Sequence, residues 1–148
     1  MTRYLPITQI CSRVLLSTKS RLQHPLTGTT KLASIQDNLA PMAELALANR
    51  VRVIFASLLP VSDYDRDREG KTIVRTEKYL PAQIVALNSS LKRYAARHKH
   101  VHLDCHSAMV VAKGMLRDEL SEDGLHPTAK GYALMTLLAE KAIAEALK

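Results

Sequence analysis

Two short apolar runs, VRVIFASLL (51–59) and VHLDC (101–105), constrain this chain more than any other feature. Each is too short for a buried helix and is rich in branched residues, so each reads as a buried strand. Between them lies a segment of helical periodicity. Pro81 suits a first helical turn, and Ile84, Leu87, Leu91 and Tyr94 recur on one face as far as about Arg97. A second amphipathic segment precedes the first run, from an N-cap at Thr30 to about Ala48, with Leu32, Ile35, Leu39, Met42 and Leu45 on one face. Pro41 lies inside it and predicts a kink or a break, and Asn49 suits its C-terminal end. A third segment, from about Lys130 to Leu147, carries Leu134, Leu137, Leu138, Ile143 and Leu147. RVLLST (13–18) reads as one more short strand, followed by the turn-rich HPLTGTT (24–30). Strands alternating with helices imply crossover connections and a parallel sheet, so the expected class is α/β.

The chain has 148 residues, enough for one domain with a real core, and neither a repeat nor a linker divides it. No apolar run approaches the length of a membrane span, and the N-terminus lacks a continuous apolar stretch of the signal-peptide kind. Cys11 and Cys105 do not make a disulfide framework, so the expected location is the cytoplasm. The net charge of +7 admits nucleic acid as a partner. The basic residues are scattered and the aromatics are few, so a generally basic surface is the expectation, without nucleic acid.

Chemistry concentrates in DGLHPTAKGY (123–132). A histidine that acts as a general base needs its other ring nitrogen held by an acceptor, which fixes the tautomer. In a tight loop Asp123 can reach Nδ1 of His126. Gly124 relieves the turn, and Pro127 restricts the backbone of His126 to an extended conformation. The loop precedes the last helix, where doubly wound folds place their sites. The competing reading is a helix-capping loop with an exposed histidine.

DGLHPTAKGYALM resembles the last conserved block of the SGNH hydrolases, also called GDSL esterases and lipases. The segments IQDNLAPMAELALANRVRVIFASLLPVSDY, KYLPAQIVALNSSLKRYAARH and HLDCHSAM also resemble the second half of such enzymes, in the same order. The likeness covers about residues 30–148, and residues 1–29 diverge. It implies a three-layer α/β/α flavodoxin-like fold and a carboxylic ester hydrolase working through an acyl-enzyme. It assigns His126 as the base and Asp123 as the acid that orients it. A small-molecule ester would be the substrate, without a metal or other cofactor.

The family's nucleophile lies in a Gly-Asp-Ser block on its first strand, and no Gly-Asp-Ser occurs here. Its third block, Gly-x-Asn-Asp, supplies an oxyanion donor. The matching register is VLLSTKS, with Ser17 where Gly is expected and Lys19 where Asn is expected. The chain therefore reads as an N-terminally incomplete SGNH hydrolase of impaired activity, with its nucleophile unknown. A non-catalytic binding or oligomerising remnant is the alternative. Ser17 and Ser20 lie at a strand end but lack the strand-to-helix turn that presents a nucleophile. Ser57 and Ser62 match structural or loop positions, and Ser107 reads as a cap. Without its central neighbour, strand 13–18 would form a bare edge and drive association between copies. In HKHVHLDCH, His100 and His102 share one face of an extended segment and would admit zinc beside His98, Cys105 and His106. A solvated helix end running into a strand is the competing reading, and the resemblance implies no metal there.

Overall fold

The computed structural model describes residues 32–148, so Thr30, the 13–18 run and Ser17, Lys19 and Ser20 lie outside the described residues. The elements are helix α1 (Leu32–Ala48), strand β1 (Ile54–Ala56), helix α2 (Pro81–Arg97), strand β2 (Val101–Leu103), a short helix α3 (His106–Met109), a 3-10 turn (Asp118–Leu120) and helix α4 (Ala129–Ala146). Among the described residues β1 and β2 form a parallel pair, with Phe55 opposite His102. The ladder is shorter than the apolar runs that predict it, although Val53 and Ser57 still bond to β2 through main-chain groups.

Alternation along β1 sorts the core into two layers. Phe55 turns to one face and packs with Ala43 of α1 and Leu87, Leu91 and Ala95 of α2. Ile54 and Ala56 turn to the other face, toward Leu103, Met109, Leu116, Leu120 and the α4 residues Ala139 and Ala142. Helices thus cover both faces of a parallel sheet, a three-layer α/β/α arrangement. Leu87 and Leu91 are each only 1% exposed, and burial of such a side chain contributes about 1.5–3 kcal/mol.

Helix α2 begins at Pro81, whose missing N–H costs nothing in a first turn. Inside the helix Asn88 grips the chain just past β1. Its Oδ1 accepts from Leu58 N at 2.7 Å and its Nδ2 donates to Leu58 O at 2.9 Å. Of the kink or break expected at Pro41, the break does not occur: α1 continues across it. Pro41 and Asp37 are both exposed, so the carbonyl that loses its helical donor faces water. Helix α4 packs chiefly through Gly131, Ala139, Ala142 and Ala146, while Leu137 and Leu147 are exposed. Small residues let this helix lie close to the sheet, so the leucine pattern marks less of the buried face than expected.

Candidate active site

The loop between the 3-10 turn and α4 is tied down at both ends. Ser121 bridges to Pro127, and Thr128 N donates to Leu120 O at 2.9 Å. Thr128 then caps α4, its hydroxyl accepting from Gly131 N at 3.3 Å. Gly131 must be glycine, because a Cβ there would lie 2.6 Å from Leu120 O. Between these anchors the chain turns at Gly124, with φ of +72°. Ser62 N, beyond the C-terminal end of β1, donates to Gly124 O at 2.8 Å. This contact places the loop at the carboxyl side of the sheet. A Cβ on Gly124 would sit 2.4 Å from Ser62 O, so close approach as well as φ requires glycine.

The turn folds Asp123 back over its own loop. Its Oδ1 accepts from Leu125 N at 2.9 Å, from His126 N at 2.7 Å and from the Ser121 hydroxyl at 3.3 Å. Its Oδ2 meets His126 Nδ1 at 2.6 Å. Partial burial alone would raise the Asp123 pKa. The hydrogen bonds from the His126 main chain and ring and from Leu125 N, with the charge of His126, outweigh it and hold the carboxyl well below the usual carboxylate range. An ionised carboxylate can only accept, so Nδ1 carries a proton, and in the neutral ring the lone pair is on Nε2. The imidazole is 64% exposed and Asp123 is 33% exposed. This is an imidazole oriented by a carboxylate and presented to solvent.

A neighbouring loop buttresses the pair. Arg75 Nε donates to Asp123 O at 2.7 Å, and Tyr64 Oη donates to Ser121 O at 2.7 Å. Arg75 is in turn held by Asp65 at 2.6 Å. Asp63 accepts from Arg75 N at 2.7 Å, from Thr76 N at 2.9 Å and from the Thr76 hydroxyl at 2.5 Å. Burial would raise the Asp63 pKa, but these bonds and the Arg75 charge lower it. Arg75, Asp63, Asp65 and Tyr64 were not expected from sequence. The available signal was the alternation of Asp63 and Asp65 ahead of an arginine in a charged loop.

Among the described residues the remaining candidates are not brought to the pair. Ser57 is buried and its hydroxyl accepts from His106 N at 2.9 Å. Ser107, expected as a cap, lies inside α3 and donates its main-chain N–H at 3.0 Å and its hydroxyl at 2.8 Å to the Asp104 carboxylate. Ser62 is buried and meets the Asp123 loop through its main chain. Among the described residues no hydroxyl is hydrogen-bonded to Nε2 of His126. His98 and His100 stack beside Tyr94. His102 and His106 instead line a cleft of about 170 Å³ between α2 and β2, with Lys92 and Asp104. Burial pushes both of these imidazoles below the ordinary histidine value. Among the described residues no group of three or more His, Cys, Asp or Glu side chains is arranged to hold a metal ion. Nor is any helix among them long and apolar enough to cross a membrane.

An Asp–His pair ahead of the last helix, on a parallel sheet covered on both faces, defines the class of fold. The profile of the GDSL-like lipase/acylhydrolase family matches residues 22–134, and the chain belongs to that family. An acylhydrolase-assigned protein of Bacteroides fragilis is 32% identical, with a TM-score of 0.68, over 82% of this chain and 56% of that one. A GDSL-like lipase of Bacteroides thetaiotaomicron is 34% identical, with a TM-score of 0.67, over 81% of this chain and 56% of that one. The esterase domain of a zebrafish retrotransposon ORF1 protein, 19% identical with a TM-score of 0.58, shares the fold; the match covers 80% of this chain and 62% of that one. The chain thus spans 56% of the length of the two Bacteroides proteins. No curated protein matches it.

Proposed function

We propose that this chain carries the acid–base half of a carboxylic ester hydrolase of the SGNH type. The observation that carries the reading is the 2.6 Å contact between His126 Nδ1 and Asp123 Oδ2, in a loop that leaves the imidazole open to solvent. His126 Nε2 takes a proton from the attacking oxygen as it bonds to the ester carbonyl. The Asp123 charge stabilises the imidazolium that results, and the proton passes to the departing alkoxide. The substrate is a small-molecule ester.

Full serine catalysis also needs a hydroxyl against Nε2 and donors to the oxyanion. Ser17 and Lys19 match the Gly and Asn of the Gly-x-Asn-Asp block, whose Asn is the family's oxyanion donor, and lysine is a point charge on a flexible stem rather than a fixed amide. Loss of one oxyanion-hole donor in a serine protease costs about 3–4 kcal/mol. Hydrolysis by this chain is therefore feeble and depends on His126. A non-catalytic binding or oligomerising role is the second reading, favoured by the lack of Gly-Asp-Ser in the sequence.

The test is hydrolysis of p-nitrophenyl acetate by the chain and by His126→Ala, Ser17→Ala and Ser20→Ala. A low rate lost only in His126→Ala supports the proposal. Equal background in all four favours the non-catalytic role. Robust turnover abolished by either serine change would instead reveal a relocated nucleophile.

A further inference from the structure

We propose that Arg75 is a positioning residue for the Asp123–His126 pair, holding the loop so that the carboxylate presents Oδ2 to the imidazole; its significance rests on the catalytic reading of that pair. Arg75 lies 48 residues before Asp123 and its side chain is only 17% exposed. Three contacts leave it little freedom. Its main-chain N–H is held by Asp63 at 2.7 Å, its Nη2 by Asp65 at 2.6 Å, and its Nε donates to Asp123 O at 2.7 Å. The planar guanidinium directs these side-chain donors in fixed directions, which an ammonium cannot do.

The division of labour within the guanidinium is the informative part. Nη2 also faces Asp123 Oδ2, but at 3.7 Å, against 2.6 Å to Asp65. A tight ion pair with Oδ2 would draw that oxygen away from His126. Asp65 instead engages the Arg75 charge, and Arg75 touches Asp123 closely only at its carbonyl. Oδ2 is thus left to the imidazole at 2.6 Å. Arg75 fixes where Asp123 stands, and Asp65 keeps Arg75 from competing for its carboxylate. The arrangement uses no residue outside the two loops.

The experiment reads the pair directly and needs no turnover. In ¹⁵N-histidine-labelled protein, Nδ1–H of His126 should give a far-downfield proton resonance, assigned by its absence from His126→Ala. In Arg75→Ala that resonance should vanish or its proton exchange roughly tenfold faster, and Arg75→Lys should fall between. Asp65→Asn should also speed exchange, because the freed guanidinium can move onto Oδ2; this variant keeps the test open if Arg75→Ala does not fold. Leu91→Ala destabilises the core on the other face of the sheet and should leave the resonance unchanged, separating positioning from general loss of stability. Wild-type exchange in Arg75→Ala or in Asp65→Asn overturns the proposal while leaving the pair intact. A wild-type spectrum without the His126 resonance would remove the held pair itself, and both readings with it.

Discussion

Replacing Gly124 by alanine asks how firmly the Asp123–His126 loop is seated on the rest of the molecule. Two penalties can be worked out from the geometry. Gly124 has φ of +72°, and an alanine held in the left-handed region costs about 1–2 kcal/mol. The new Cβ would also lie 2.4 Å from Ser62 O, a main-chain atom that cannot swing aside. Relief requires the two loops to part, which breaks the bond from Ser62 N to Gly124 O, worth about 0.5–1.5 kcal/mol. The sum is about 1.5–3.5 kcal/mol, and for a domain of this size it lowers the thermal midpoint by roughly 5–10 °C. Gly114 provides the internal control: its φ is +79° and an added Cβ meets nothing within 4 Å. Gly114→Ala carries the dihedral penalty without the clash, and any entropic gain from restricting the unfolded chain is common to both variants. Thermal unfolding followed by far-UV circular dichroism, with both variants beside wild type, measures the difference. Gly124→Ala should be the less stable by about 1 kcal/mol or more. If the two variants melt together, the Ser62 contact does not hold the loop and the reasoning fails.

Asn88→Ala removes both bonds to Leu58 and leaves partly buried main-chain groups without those partners, so chemical denaturation should report a loss of about 1–3 kcal/mol. Asp63 and Asp123 both have lowered folded-state pKa values, so the unfolded chain binds more protons as the pH falls. Their stabilisation should be complete above about pH 4 and lost as the pH drops through their folded values, with Asp63→Asn flattening that acid limb in thermal melts taken from neutral pH downward. The strand expected at 13–18 should promote dimerisation or aggregation through its edge, and a clean monomer by light scattering at low concentration would contradict this.

How much was legible in the sequence depended on how far apart the interacting groups lie. Helix α2 could be read because its signals are local: Pro81 at the first turn, then Ile84, Leu87 and Leu91 at helical spacing. Asp123 and His126 could be read as partners for the same reason, since a three-residue separation and a glycine nearly suffice to close their loop. Pro41 shows where a local rule is overridden, because an exposed position lets water satisfy the carbonyl that the helix abandons. The small-residue face of α4 was obscured by a leucine pattern in which Leu134 and Leu138 pack against the core while Leu137 and Leu147 face solvent. Only the tertiary structure decided that Arg75 would reach the carbonyl of Asp123, and that Ser62 would press against Gly124 so closely that no side chain fits. Those contacts join residues brought together by packing both loops at the same end of the sheet. Their geometry is set by the layers beneath them, and no spacing along the chain encodes it.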